Sequence, residues 1–117
     1  MNELMQGDRL PTDMVRLIEH VISPLAESSS KLLEQAEDAT VVRYSATMLD
    51  VEVPPGIPAV DLPDGPTPVE ALVYDGDQLV GELLVWLRAG RLFGLEQAWY
   101  TDSPPTSWPP PDRVVVR

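Results

Sequence analysis

The sequence predicts an α+β fold: an N-terminal helical segment, one kinked helix or two, packed on a four-stranded, mostly meander antiparallel sheet. Three observations predict it. Between Met14 and Ala36 apolar residues return at helical spacing, which gathers them on one stripe. Between Gln78 and Arg88 the side chains alternate, with Leu79, Gly81, Leu83, Val85 and Leu87 at the odd positions, the pattern of a two-faced strand. The dipeptides Asp75-Gly76 and Ala89-Gly90 join strand-like segments between Val69 and Thr101, as hairpin turns do. A chain of 117 residues with 44% apolar content is expected to form one domain, 1–117, with a sizeable core.

Residues 1–11 read as a loose or partly helical leader. Thr12 is a candidate helix cap, and Asp13 suits the positive end of the helix dipole. Met14, Leu17, Ile18, Val21, Ile22 and Leu25 then form the apolar stripe, which Leu32, Leu33 and Ala36 continue. Pro24 interrupts it, and Ser23-Pro24 is also a good N-cap and N1 pair for a second helix. Thr40 to Val53 reads as one long strand rich in β-branched residues, with Asp50 and Glu52 facing solvent. Pro54 and Pro55 end it. The stretch 54–68, with six prolines and two glycines, is expected to be a long loop, partly polyproline II, fastened by Ile57, Val60 and Leu62. Val69 to Tyr74 is the next strand; whether Val73 or Tyr74 faces the core depends on the turn at Asp75-Gly76.

The register of the last hairpin is read from its turn. Ala89 resists the positive φ of a two-residue type I′ turn, so a three-residue turn with Gly90 in the left-handed position is expected. That register pairs Leu87 with Arg91, Val85 with Phe93, Leu83 with Leu95 and Leu79 with Trp99 as the core face. On the opposite face Trp86 meets Leu92, Leu84 meets Gly94, Val80 meets Ala98 and Gln78 meets Tyr100. Glu82 then opposes Glu96, an unfavourable like-charge pair. Either both carboxylates lean into water, or they await a cation or basic residue inside an apolar patch. The tail, 103–117, is proline-rich and expected to be partly disordered, with Trp108 able to dock on the second face of the sheet.

Nineteen acidic against eight basic residues leave a net charge of −11. That charge repels nucleic acids and anionic membranes, so neither is expected as a partner. The absence of cysteine excludes disulfides, thiol catalysis and cysteine metal sites. Residues 1–10 carry no apolar signal-peptide core, no apolar run reaches the length of a membrane span, and a cytoplasmic protein is expected. The single histidine, His20, falls beside Asp13, Arg16 and Glu27, away from the apolar stripe, and reads as a solvated residue. Asp75-Gly76-Asp77 lacks the spaced ligands of a calcium loop, and no phosphate-binding glycine loop or nucleophile elbow is present. No catalytic, cofactor-binding or metal-ligating residue is therefore assigned, and no cofactor is expected.

Gly90-Arg91-Leu92, Leu95-Glu96, Trp99-Tyr100 and Pro104-Pro105 together resemble the C-terminal end of small uncharacterised bacterial proteins that share a Gly-Arg-Leu-x-x-Leu-Glu pattern. The resemblance spans roughly the last third of the chain. It implies no activity, carries no functional residues across, and favours a stand-alone accessory protein. The element order also resembles a cystatin-like helix-on-sheet arrangement.

A helix layer covers one face of a sheet and leaves the other. The expected function is a non-enzymatic protein-binding or adaptor module, or a homodimer, using an exposed face of Val80, Glu82, Leu84, Trp86, Leu92, Glu96 and Tyr100. The alternatives are an acidic inhibitor or immunity-type protein that binds a basic partner, and a small-ligand-binding domain with a pocket between helix and sheet.

Overall fold

The computed structural model describes residues 4–117. Two helices, α1 (Thr12–Ile22) and α2 (Glu27–Asp38), pack on one face of an antiparallel sheet. The strands are β1 (Thr40–Tyr44), β2 (Met48–Glu52), β3 (Gly65–Pro66), β4 (Ala71–Asp75), β5 (Gln78–Arg88), β6 (Arg91–Trp99) and β7 (Val114–Val116). Their order is β1-β2-β6-β5-β4-β7, with β3 on β5 beside Trp86 and Leu87. Among the described residues the sheet thus has seven strands rather than the expected four.

Three local causes account for the extra strands. The stretch expected as one strand from Thr40 to Val53 folds back at Ser45-Ala46-Thr47 into the β1–β2 hairpin. There Ser45 Oγ accepts the Met48 N–H at 3.1 Å and that of Thr47 at 3.3 Å, a serine side chain standing in for backbone. The proline-rich loop contributes β3. The tail contributes β7, which pairs with β4 from Ala71↔Val116 to Val73↔Val114.

The helical stripe is core, as its spacing requires. Met14, Leu17, Ile18, Val21 and Ile22 of α1 and Leu32 and Ala36 of α2 join Leu49, Leu83, Val85, Leu87, Leu92 and Leu95 in one buried cluster. Each fully buried leucine stabilises the fold by about 1.5–3 kcal/mol. The helices divide near Ser23-Pro24, but their caps differ from expectation. Thr12 is the first residue of α1, and Pro11 before it has no capping side chain. Ser23 opens a 3₁₀ turn, Ser23–Leu25, and its hydroxyl donates to His20 O at 2.7 Å. Ala26, at φ 53° and ψ −119°, then redirects the chain into α2, and Pro24 fits the N-terminal end of the turn because its missing N–H is not needed there.

The tail is held against the helix side of the molecule. Trp108 Nε1 donates to Ser45 O at 2.9 Å, Arg113 Nε to Tyr74 O at 2.7 Å, and His20 Nε2 lies 2.7 Å from Val114 O. Trp108 therefore packs on the core cluster, not on the second sheet face, and His20 is half-buried rather than solvated. Buried Gln97 Nε2 spans Ala46 O and Ser107 O, at 2.8 and 3.1 Å, joining the β1–β2 turn to the tail. In β4, Val73 is the buried residue and Tyr74 the half-exposed one. No helix among the described residues is long and apolar enough to cross a membrane.

The β5–β6 hairpin departs most from expectation. Gly90 has φ 71°, positive as expected, but Ala89 is also positive at φ 53°, and Arg88 pairs with Arg91. The turn is thus the two-residue kind, and contacts from elsewhere hold it. Ala89 N–H donates to Asp64 Oδ1 at 2.8 Å, and Gly90 O accepts the Val60 N–H at 2.9 Å. A Cβ on Gly90 would collide with the Val60 carbonyl. Since asparagine tolerates positive φ and keeps the N–H, Ala89→Asn is expected to stabilise the protein by about 0.5–1 kcal/mol. Thermal unfolding checks this, and a lower melting temperature would contradict the strain at Ala89.

A bulge follows the turn. Leu87 pairs with Leu92 and Trp86 with Gly94, so Phe93 is the extra residue. Leu92 and Leu95 consequently both face the core, and Phe93, expected in the core, lies half-exposed on the other side. Beyond the bulge Val85 pairs with Leu95, Leu84 with Glu96, Leu83 with Gln97 and Glu82 with Ala98. A second irregularity sets Tyr74 opposite Leu79 and Val73 opposite Gly81, leaving Val80 as the extra residue. Leu79 and Trp99, expected in the core, are 40% and 43% exposed.

Candidate functional site

The sheet face turned away from the helices is built by alternation. Leu72 on β4, Glu82, Leu84 and Trp86 on β5, Glu96 and Ala98 on β6, and Met48 and Asp50 on β2 alternate with buried residues and are half-exposed. Phe93 joins them through the bulge. Of the residues proposed from sequence for an interaction face, Glu82, Leu84, Trp86 and Glu96 lie here. Tyr100 follows β6, 53% exposed, its N–H donating to Val80 O at 2.9 Å. Two residues do not belong. Leu92 is buried in the core because the two-residue turn and the bulge change its parity. Val80 packs against the core cluster because it is the bulged residue opposite β4.

The two carboxylates are not directly opposed. Glu96 faces Leu84 across the ladder and Glu82 faces Ala98, which removes the close like-charge contact that the expected register imposed. Trp86 Nε1 donates to Glu96 Oε1 at 3.1 Å, so the indole holds one carboxylate oxygen. Neither Glu82 nor Glu96 forms an ion pair among the described residues, whereas Asp50 is paired with Arg43 at 2.8 Å. The Tyr100 hydroxyl is held above the ordinary tyrosine range, first by burial, then by the hydrogen bond to Glu82 and the charges of Glu82 and Glu70.

The centre of the face is aromatic. The Trp86 and Phe93 rings are tilted by 55° with centroids 6.3 Å apart, within the range of aromatic contacts. The Arg88 guanidinium lies 4.6 Å from the Phe93 centroid, within cation–π range. Beside them is a shallow depression of about 260 Å³ lined by Met48, Asp50, Trp86, Phe93, Gly94 and Glu96. Gly94 pairs with both Trp86 and Asp50, so the floor between those side chains has none of its own. Sequence reasoning missed Phe93, Met48 and Asp50 as members. The β-bulge that brings out Phe93 leaves no mark in the alternation of β6 alone, and β2 becomes the neighbour of β6 only through the tertiary fold.

No group of three or more His, Cys, Asp or Glu residues that could hold a metal occurs among the described residues. The arrangement offers aromatic faces, an apolar floor and, among the described residues, two carboxylates without an ion-pair partner. In comparisons with known proteins, no family model, no curated protein and no solved structure matches this chain.

Proposed function

We propose that this protein is a non-enzymatic protein-binding module whose interaction surface is the helix-free face of the sheet. One observation carries the reading. Leu72, Leu84, Trp86, Phe93 and Met48 form a half-exposed apolar strip, while the helices and the Trp108 segment pack on the other side. Apolar and aromatic side chains grouped on a sheet face without helices suit a site that another chain covers, and tryptophan is among the residues that dominate binding energy. A second reading, an acidic inhibitor of a basic partner, is favoured by the unpaired Glu82 and Glu96 and the net charge of −11.

Trp86→Ala tests the face. The substitution is expected to weaken association about tenfold or more while costing about 1 kcal/mol of stability, since the ring is half-exposed rather than core. Light scattering over a concentration series reads self-association, and paired pull-downs with wild-type and variant bait read a heterologous partner. A variant that lowers the melting temperature steeply and associates as the wild type does would remove the proposal.

A further inference from the structure

We infer that the depression between Trp86, Phe93 and Glu96 receives an arginine side chain of a basic partner protein. This rests on the reading of the helix-free face as a binding surface and supplies the partner's chemistry. The depression has an apolar, side-chain-free floor at Gly94 and carboxylates at its margin. Arginine matches that division, with an apolar stem that covers hydrocarbon and a planar head that stacks on aromatic rings and pairs with a carboxylate. The protein already uses one such contact, because Arg88 lies over Phe93 at 4.6 Å. Trp86 offers the stronger ring for a second cation.

The charges select the same occupant. Asp50 is neutralised by Arg43, at 2.8 Å. Glu96 has no ion-pair partner among the described residues and is held by the Trp86 indole at 3.1 Å. A carboxylate already oriented by a neighbour loses little freedom when a guanidinium arrives. A second copy of this chain is the less suitable occupant, since it would bring another Glu82 and Glu96, within a chain of net charge −11, toward this one.

The test uses the full chain and a defined probe, acetyl-Gly-Arg-Gly-amide, against the same peptide with citrulline, which keeps the shape and loses the charge. The three tryptophan indole N–H signals are followed by ¹⁵N–¹H correlation spectra. Saturable movement of the Trp86 indole and the Gly94 amide is expected with the arginine peptide, with affinity about fivefold or more weaker for citrulline. Glu96→Gln, which keeps an acceptor for the indole, is expected to weaken arginine binding by a similar factor, as is about 0.5 M salt. Unmoved Trp99 and Trp108 indoles report the intact fold. Equal binding of the citrulline peptide, or a silent Trp86 at tens of millimolar arginine peptide, overturns the inference. If Trp86→Ala abolishes association while the arginine peptide stays silent, the face stands and the arginine pocket falls. Salt-insensitive self-association through this face assigns the pocket to a second copy and also overturns the inference.

Discussion

Gln35→Leu is expected to destabilise the protein by about 2–4 kcal/mol, although leucine is apolar in an apolar setting. Gln35 is fully buried. Its Oε1 accepts the Leu92 N–H at 2.7 Å, and its Nε2 donates to Pro58 O at 3.0 Å and Gly90 O at 3.1 Å. One amide therefore joins α2, the proline-rich loop and the turn of the β5–β6 hairpin. Leucine leaves the buried Leu92 N–H without its partner, an orphan that costs about 1–3 kcal/mol, and also removes the bonds to Pro58 O and Gly90 O. Denaturant titration measures the loss, and hydrogen exchange at the Leu92 amide locates it. A loss below about 1 kcal/mol with unchanged protection would show that the amide does not connect these elements.

Leu83→Ala is expected to cost about 2–5 kcal/mol, and Phe93→Ala about 1 kcal/mol. Leu83 is 1% exposed within the cluster beneath the helices, so truncation leaves a cavity that close packing cannot fill. Phe93 is half-exposed beside Trp86 on the other face, so truncation removes mainly a ring contact and the Arg88 stack. The expected hairpin register placed both in the core and made the two losses equal. Comparable losses at the two positions would restore that register and move the proposed binding face.

The Gly90-Arg91-Leu92 motif has a structural explanation in this chain. Gly90 has positive φ and closely approaches Val60, and the Leu92 N–H binds Gln35. Arg91 donates to the carbonyls of Pro54, Pro55 and Ile57 at 3.2, 3.0 and 2.6 Å. Prolines offer carbonyls without N–H groups, and an arginine fork is well suited to gather them. The loop 54–68 is thereby bound to the turn that its own Asp64 helps to hold in shape.

Much of the architecture was legible because it depends on short-range periodicity. The apolar stripe of α1 and α2, the break near Pro24, the alternation of β5 and the positive φ of Gly90 are local consequences of side-chain spacing and steric freedom. So were the faces of Leu83, Val85, Glu82, Trp86, Leu95 and Glu96. The expected partners were displaced by two residues, because the turn is one residue shorter and Phe93 adds another. An even displacement preserves the face, which alternates with every residue. At Leu92, before the bulge is complete, the displacement is odd and the face was misread. Ala89 alone disfavours the turn that forms; what holds it is a set of hydrogen bonds from Asp64, Val60 and Gln35 that close loops of up to 57 residues. Local side-chain spacing sets which residues alternate and which segments are helical. The turn, the bulges, the strands recruited from loop and tail, and hence which side chains meet at Trp86, arise in the assembled fold, because those depend on contacts between segments whose proximity no local pattern encodes.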